Sequence, residues 1–212
     1  MIKNKNENTT YGQILDSALT LFSEQGYKAV TVAQIADKVG IKAPSLYKHF
    51  KNKQDIFNAI VSELSRRYEK TAEQLHLNGV DAQKDKDSFA HMDTDNLVKT
   101  GRSLFHYFLH DSYALRFRKM LTVEQFSNTE LSTFYVKQYI DDPIDYQTTI
   151  FSFFTEHGLF VPGIDLNITA LQFYSPIFLL IILCTVCPVR EQEADELLEK
   201  HIRQFAALYT KP

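Results

Sequence analysis

Glycine and proline are scarce in this chain, seven and six in 212 residues. Apolar residues recur at three- and four-residue intervals almost throughout. No stretch shows the alternation of a half-buried strand, and no internal repeat is present, so the expected fold is all-α. Only two cysteines occur, Cys184 and Cys187. That excludes a disulfide scaffold and fits a reducing, cytoplasmic setting. The opening "MIKNKNENTTYG" has no apolar core and does not read as a secretory signal. The most apolar run, 176–188, lies between prolines and is shorter than the roughly 20 residues of a membrane span. It reads as a buried helix, with no membrane expected. No Ser/His/Asp order, phosphate loop or carboxylate pair suggests catalysis, so the chain reads as a non-enzyme without cofactor or resident metal.

What is present is an uneven charge. Residues 1–53 hold eight lysines against four acids, while the rest holds 15 basic and 22 acidic residues, for a total of −3. A small basic head on an acidic body points to one surface that meets a polyanion. The concentration peaks in "KAPSLYKHFKNK", residues 42–53.

The helical pattern divides the chain into a head over 1–54, a connecting helix over 55–77 and a larger body over 78–212. Helix one is expected over 10–25, with Thr10 and Gln13 as a capping box and Gly26 closing it. Helix two starts at Thr31 with Gln34 reaching back, carries Val30 and Ile35 as a hydrophobic staple, turns Val32 and Val39 inward and ends at Gly40. Helix three follows, with Pro44 in its first turn, where a missing N–H costs little. Leu46 and Phe50 face inward. The polar stretch 79–95 reads as a linker or mobile loop. Helices are then expected over 96–110, 112–126 and 128–140, with "DDP" at 141–143 as a break. A helix to Glu156, the loop "GLFVPGID", a Pro176-kinked helix over 166–186 and a last one over 190–209 complete the pattern.

Two short helices joined at Gly40 after a packing helix describe a helix-turn-helix. The second helix of such a unit enters the major groove of double-stranded DNA. Lys42, Ala43, Pro44, Ser45 and Lys48 would then face base edges. Tyr47, His49, Lys51 and Lys53 would flank them at phosphates, and the helix start at Thr31 would hold another phosphate.

The order "TVAQIADKVGIKAPSLYKHFKNKQDIF" closely resembles the N-terminal signature of TetR-type transcriptional regulators. Phe22, Gly26, Thr31, Ile35, Ala36, Gly40, Leu46, Tyr47, His49, Phe50, Lys53 and Phe57 carry the likeness, over about 50 residues. "ALQFYSPIFLLII" and the last helix look like the family's dimer-forming pair. The resemblance implies an Ω-shaped homodimer, a palindromic operator, and one effector pocket per subunit whose small ligand releases DNA from a repressor. By position, Thr31, Tyr47, His49 and Lys53 match phosphate contacts, while 42–45 and Lys48 match base-facing ones. Lys42 and Pro44 depart from the family, which favours a small polar capper at the first position and a small flexible residue at the second.

Residues 89–178 hold twelve of the sixteen phenylalanines and six of the eleven tyrosines. They could line a cavity for a hydrophobic or aromatic ligand, or simply pack as core. Candidate lining residues are Phe105, Phe108, Phe117, Met120, Leu121, Phe151, Phe154, Tyr174 and Phe178. Candidate polar anchors are His106, His110, Gln125 and Tyr174. Control by a protein partner instead of a ligand would leave this region solid. His106 and His110 lack a third metal ligand and read as satisfied histidines. The Cys184–Cys187 pair sits near the end of an apolar helix and reads as buried thiols.

Overall fold

The computed structural model describes residues 9–211, and Lys3, Lys5 and Glu7 of the head's charge count lie outside them. Apart from one isolated bridge between Phe160 and Thr210, the regular structure among the described residues is helical. The order is α1 (Thr10–Gln25), α2 (Val32–Val39), α3 (Ala43–Leu46), α4 (Lys53–Gln74), α5 (Ala82–Ala90), α6 (Thr94–His110), α7 (Ser112–Glu124), α8 (Thr129–Val136), α9 (Asp142–Glu156), α10 (Leu166–Val186) and α11 (Glu191–Tyr209).

These helices group into two compact units. One comprises residues up to Arg67 together with Ser112–Tyr135, and the other comprises Tyr68–Asp111 together with the chain from Val136 onward. This grouping differs from a division at 54 and 78. Residues 112–135 pack with the head because α7 lies along α1, where Arg116 pairs with Asp16 at 2.6 Å and donates to the Thr20 hydroxyl at 2.6 Å. Within that first unit Ile14, Ala18, Leu19, Phe22, Ile35, Leu46, Ile56, Ile60, Phe117 and Leu121 are fully buried. Each large aliphatic or aromatic side chain so buried contributes about 1.5–3 kcal/mol.

Helix α1 has the expected bounds, but its cap is Thr9, whose hydroxyl accepts from Gly12 N–H at 3.1 Å. The Thr10–Gln13 pair is one residue out of register for that role. In α2 the Thr31–Gln34 capping box is complete, Val30 and Ile35 are buried, and Gly40 takes the left-handed conformation that ends the helix. Val32 and Val39 are only half-buried, because α2 has a narrow inner face.

The polar stretch after α4 is not a linker. Asp81 caps α5 by accepting from Gln83 N–H at 3.1 Å, and α5 packs on α9. Its Asp85 is 2% exposed, and the carboxylate accepts the N–H groups of Asn78 at 2.6 Å and Gly79 at 2.7 Å. A residue type that normally marks solvent here ties a turn together from inside.

The "DDP" break is also absent. Helix α8 passes into a π-helical turn over Lys137–Asp141 and directly on into α9. Pro143 lacks the N–H that a regular helix would offer to the carbonyl of Tyr139, and the wider turn accommodates it. The Tyr174 hydroxyl donates to that same carbonyl at 2.8 Å.

Helix α10 runs unbroken through Pro176 for 21 residues. By length and composition it is long and apolar enough to cross a membrane, with a third of its most apolar window buried. The apolar run from residue 176 is the second half of this helix, whose bounds are those expected, with Pro176 inside it. Its exposed face carries Ile168, Leu171, Leu179 and Val186, and α11 adds exposed Leu197 and Leu208. Along the other side of α11, Arg102 pairs with Asp195 and Glu199, and Arg203 pairs with Asp95.

Candidate nucleic-acid interface

The short helix α3 is held by what it buries. Leu46 is fully buried and Phe50, just past its end, nearly so, with the Phe50 ring 5.0 Å from that of Tyr11. Lys42 occupies the N-cap position without making a side-chain cap, since an ammonium has no acceptor. Pro44 sits at the second helical position. With Leu46 and Phe50 inward, Lys42, Pro44, Tyr47, Lys48, His49 and Lys51 are all exposed, and Ala43 and Ser45 are half-exposed. The next helix is fixed in turn by Asn52, whose side chain accepts Asp55 N–H at 2.8 Å, and by Asp55, which accepts Lys51 N–H at 3.0 Å. The result is a rigid, cationic surface one helical turn long.

Thr31 lies at the exposed start of α2. Its N–H donates to Gln34 Oε1 at 2.8 Å, and its hydroxyl accepts Gln34 N–H at 3.3 Å. Of the four N–H groups that a helix start leaves open, those of Val32 and Ala33 therefore remain for an anion.

Lys53 is engaged within the head. Its Nζ donates to the carbonyls of Tyr27 at 2.8 Å, Lys28 at 3.3 Å and Val30 at 2.9 Å, and lies 4.5 Å from the centre of the Tyr27 ring. An ammonium has three protons, and three acceptors within the head engage them. Burial pushes its pKa down, partly offset by the charge of Glu124.

The twelve candidate effector residues are divided between the two units. Phe117, Met120, Leu121 and Gln125 belong to the first unit, and the other eight belong to the second. Phe117, Met120 and Leu121 are fully buried there, with Phe117 against Phe57 and Phe134. In the second unit Phe105 is buried, Phe108 lies by Tyr68, and Phe151 packs among Phe154, Phe160, Phe173 and Phe205. Phe178 stacks between Tyr139 and Tyr174.

All four polar anchors have partners inside the chain. His106 faces Asp195 at 3.1 Å and His110 faces Glu191 at 2.7 Å, both on the outer α6–α11 seam. Gln125 donates to the Thr122 carbonyl at 3.0 Å, and the Tyr174 hydroxyl is committed to Tyr139. Cys184 is buried and Cys187 half-buried, and burial raises the Cys184 thiol pKa, which disfavours a reactive thiolate. No metal-holding group of three His, Cys, Asp or Glu occurs among the described residues.

Two buried residues escaped sequence reasoning. Arg118, on α7, is 2% exposed and lies near Tyr135. Its position four residues after buried Ala114 was the available signal. Glu124, also buried, accepts the N–H of Lys28 at 3.2 Å across 96 residues of sequence, and no local pattern announces it.

Residues 14–60 match the family model described as bacterial regulatory proteins, tetR family. Over 49 residues the chain is 47% identical to IcaR of Staphylococcus epidermidis, the HTH-type negative transcriptional regulator of the biofilm operon icaADBC, a match covering 23% of this chain. The chain thus spans about a quarter of that relative's length, 26%. In fold the likeness extends over nearly the whole chain. SmeT, the repressor of the Stenotrophomonas maltophilia multidrug efflux pump SmeDEF, superposes with a TM-score of 0.65 at 21% identity, covering 98% of this chain and 93% of SmeT. SmeT has also been solved as a complex with triclosan. FadR of Bacillus subtilis, in complex with stearoyl-CoA, gives a TM-score of 0.59 at 19% identity, covering 92% of this chain and 97% of FadR. In the sequence of its head, residues 14–60, the chain is thus similar to the tetR family of bacterial regulatory proteins, and over nearly its whole length it shares the fold of SmeT and FadR.

Proposed function

We propose that this chain is a transcriptional repressor that binds a palindromic DNA operator as a homodimer and is released by a small hydrophobic or aromatic ligand. The carrying observation is the exposed cationic surface of Lys42, Lys48, His49 and Lys51 on a helix-turn-helix whose inner side is locked by Leu46 and Phe50. A major groove accepts such a helix, with Lys42, Ala43, Pro44, Ser45 and Lys48 toward base edges and Tyr47, His49 and Lys51 toward phosphates. The exposed apolar faces of α10 and α11 favour burial against a second copy with two-fold symmetry, which in turn requires a two-fold operator. Ligand control is supported by the triclosan and stearoyl-CoA complexes of proteins with this fold. A reducing, cytoplasmic setting and a non-enzymatic role complete the reading.

A dimer neutralising about eight phosphates shows a slope near −7 in log K against log salt. A slope near zero overturns DNA binding. A second reading, control by a protein partner, is favoured by one observation: His106, His110, Gln125 and Tyr174 already have partners within the chain. Thermal shifts across a hydrophobic ligand panel separate the two. Stabilisation of several degrees by any member supports the ligand, and a flat panel supports the protein partner.

A further inference from the structure

We propose that Lys53 and Glu124 are positioning residues for DNA reading: together they clamp the α1–α2 loop from two other helices and so set the pose of α2 and α3. The inference rests on the DNA-binding reading above and assigns Lys53 a different part in it. The loop 26–30 joins the helix that packs the head to the first helix of the reading pair. Its carbonyls at Tyr27, Lys28 and Val30 converge on one ammonium, Lys53, the first residue of α4. Its N–H at Lys28 is taken by one carboxylate, Glu124, the last residue of α7. The Tyr27 hydroxyl adds a bond to Gln54 Oε1 at 2.9 Å, so α4 holds the loop at two successive residues.

The fit around Glu124 is close. Gly26 has φ +85, and a Cβ built there would come within 2.6 Å of Glu124 Oε1. The carboxylate also receives the Ser127 hydroxyl at 3.4 Å. A buried carboxylate and a part-buried ammonium thus hold one five-residue loop, the first through an N–H and the second through carbonyls. Ordinary turns close on their own local hydrogen bonds. This one depends on two charged groups from distant sequence, one on the long helix α4 and one on α7. A small displacement of either helix end changes the loop, and the loop carries α2.

The test compares Lys53→Met, Glu124→Gln and, as a phosphate control, Lys51→Ala in the full-length protein. Binding is measured to an operator selected from random DNA and to an unrelated duplex, across salt, with a thermal melt of each variant. Lys53→Met and Glu124→Gln are expected to weaken operator binding tenfold or more, to leave binding to unrelated duplex within about twofold, and to leave the salt slope unchanged. Lys51→Ala is expected to reduce the slope of the dimer by about 2, near 0.9 per phosphate lost in each head. A similar reduction for Lys53→Met overturns the proposal, because it makes Lys53 a phosphate ligand. Equal losses on both duplexes overturn it as well. If Lys53→Met fails to fold, Lys53→Arg keeps the charge while displacing the donors, and the same specific-to-unrelated ratio decides. Wild-type protein with no salt-dependent binding overturns the underlying DNA reading instead, and is seen before any variant is made.

Discussion

The hydroxyl of Tyr146 donates to Asp85 Oδ2 at 2.6 Å, across 61 residues of sequence. With the Asn78 and Gly79 N–H groups on the same carboxylate, one acid joins the turn between α4 and α5, helix α5 itself and the side of α9. Asp85→Ala is expected to strand three donors and to destabilise the protein by about 3 kcal/mol, at roughly 1 kcal/mol or more for each. Asp85→Asn keeps one acceptor oxygen and costs less. Urea unfolding checks both, and limited proteolysis within 79–95 is expected to be slow in wild type and fast in Asp85→Ala.

The same corner makes stability sensitive to alkali. Burial first, and the charge of Asp85 second, push the Tyr68 pKa up to about 12. Tyr146 is raised too, by burial and by its hydrogen bond to Asp85. Both phenols are neutral in folded and unfolded chains below about pH 10. Above that, the unfolded state releases protons that the folded state keeps, so the stability present below pH 10 falls as pH rises toward 12. Melting midpoints between pH 9 and 11.5 are expected to drop more steeply in wild type than in Tyr68→Phe, even if the variant starts lower for want of its bond to the Gly79 carbonyl.

On the reading surface, Lys48→Ala is expected to weaken operator binding by about tenfold or more, equivalent to the 1–3 kcal/mol of a base contact, and to relax the preferred sequence. Lys51→Ala is expected to weaken operator and unrelated duplex alike. Competition binding at fixed salt distinguishes them.

At the π turn, Tyr174→Phe removes the donor to the Tyr139 carbonyl and is expected to cost about 1 kcal/mol in chemical denaturation. Phe178 keeps its stacking partners in this variant, so helix content measured by circular dichroism is expected to stay unchanged.

Sequence spacing was sufficient for many local features, though it placed the α1 cap one residue late and read a break at 141–143 where the helix continues. The Thr31–Gln34 box, the Gly40 stop and the inward pair of Leu46 and Phe50 depend on neighbours within a turn or two, and each stands where the pattern put it. Other failures came where a partner lay far along the chain. Asp85 looked solvated because Tyr146 is invisible from residue 85, and Lys53 looked free because its acceptors are carbonyls in a loop 23 to 26 residues earlier. Helical phase identified Phe117, Met120, Phe105 and Phe151 as inward-facing, but phase does not say which of two cores a face belongs to.

The one-turn length of α3 has a consequence for how such a head changes over generations. A single turn has little stability of its own, so its shape comes from Leu46 and Phe50, while Lys42, Pro44, Tyr47, Lys48 and His49 stay outside the packing. Those five positions can be exchanged without disturbing the interior. The vocabulary of the reader is thereby uncoupled from its grammar, and new target sequences become reachable by substitutions that leave the protein folded at every step.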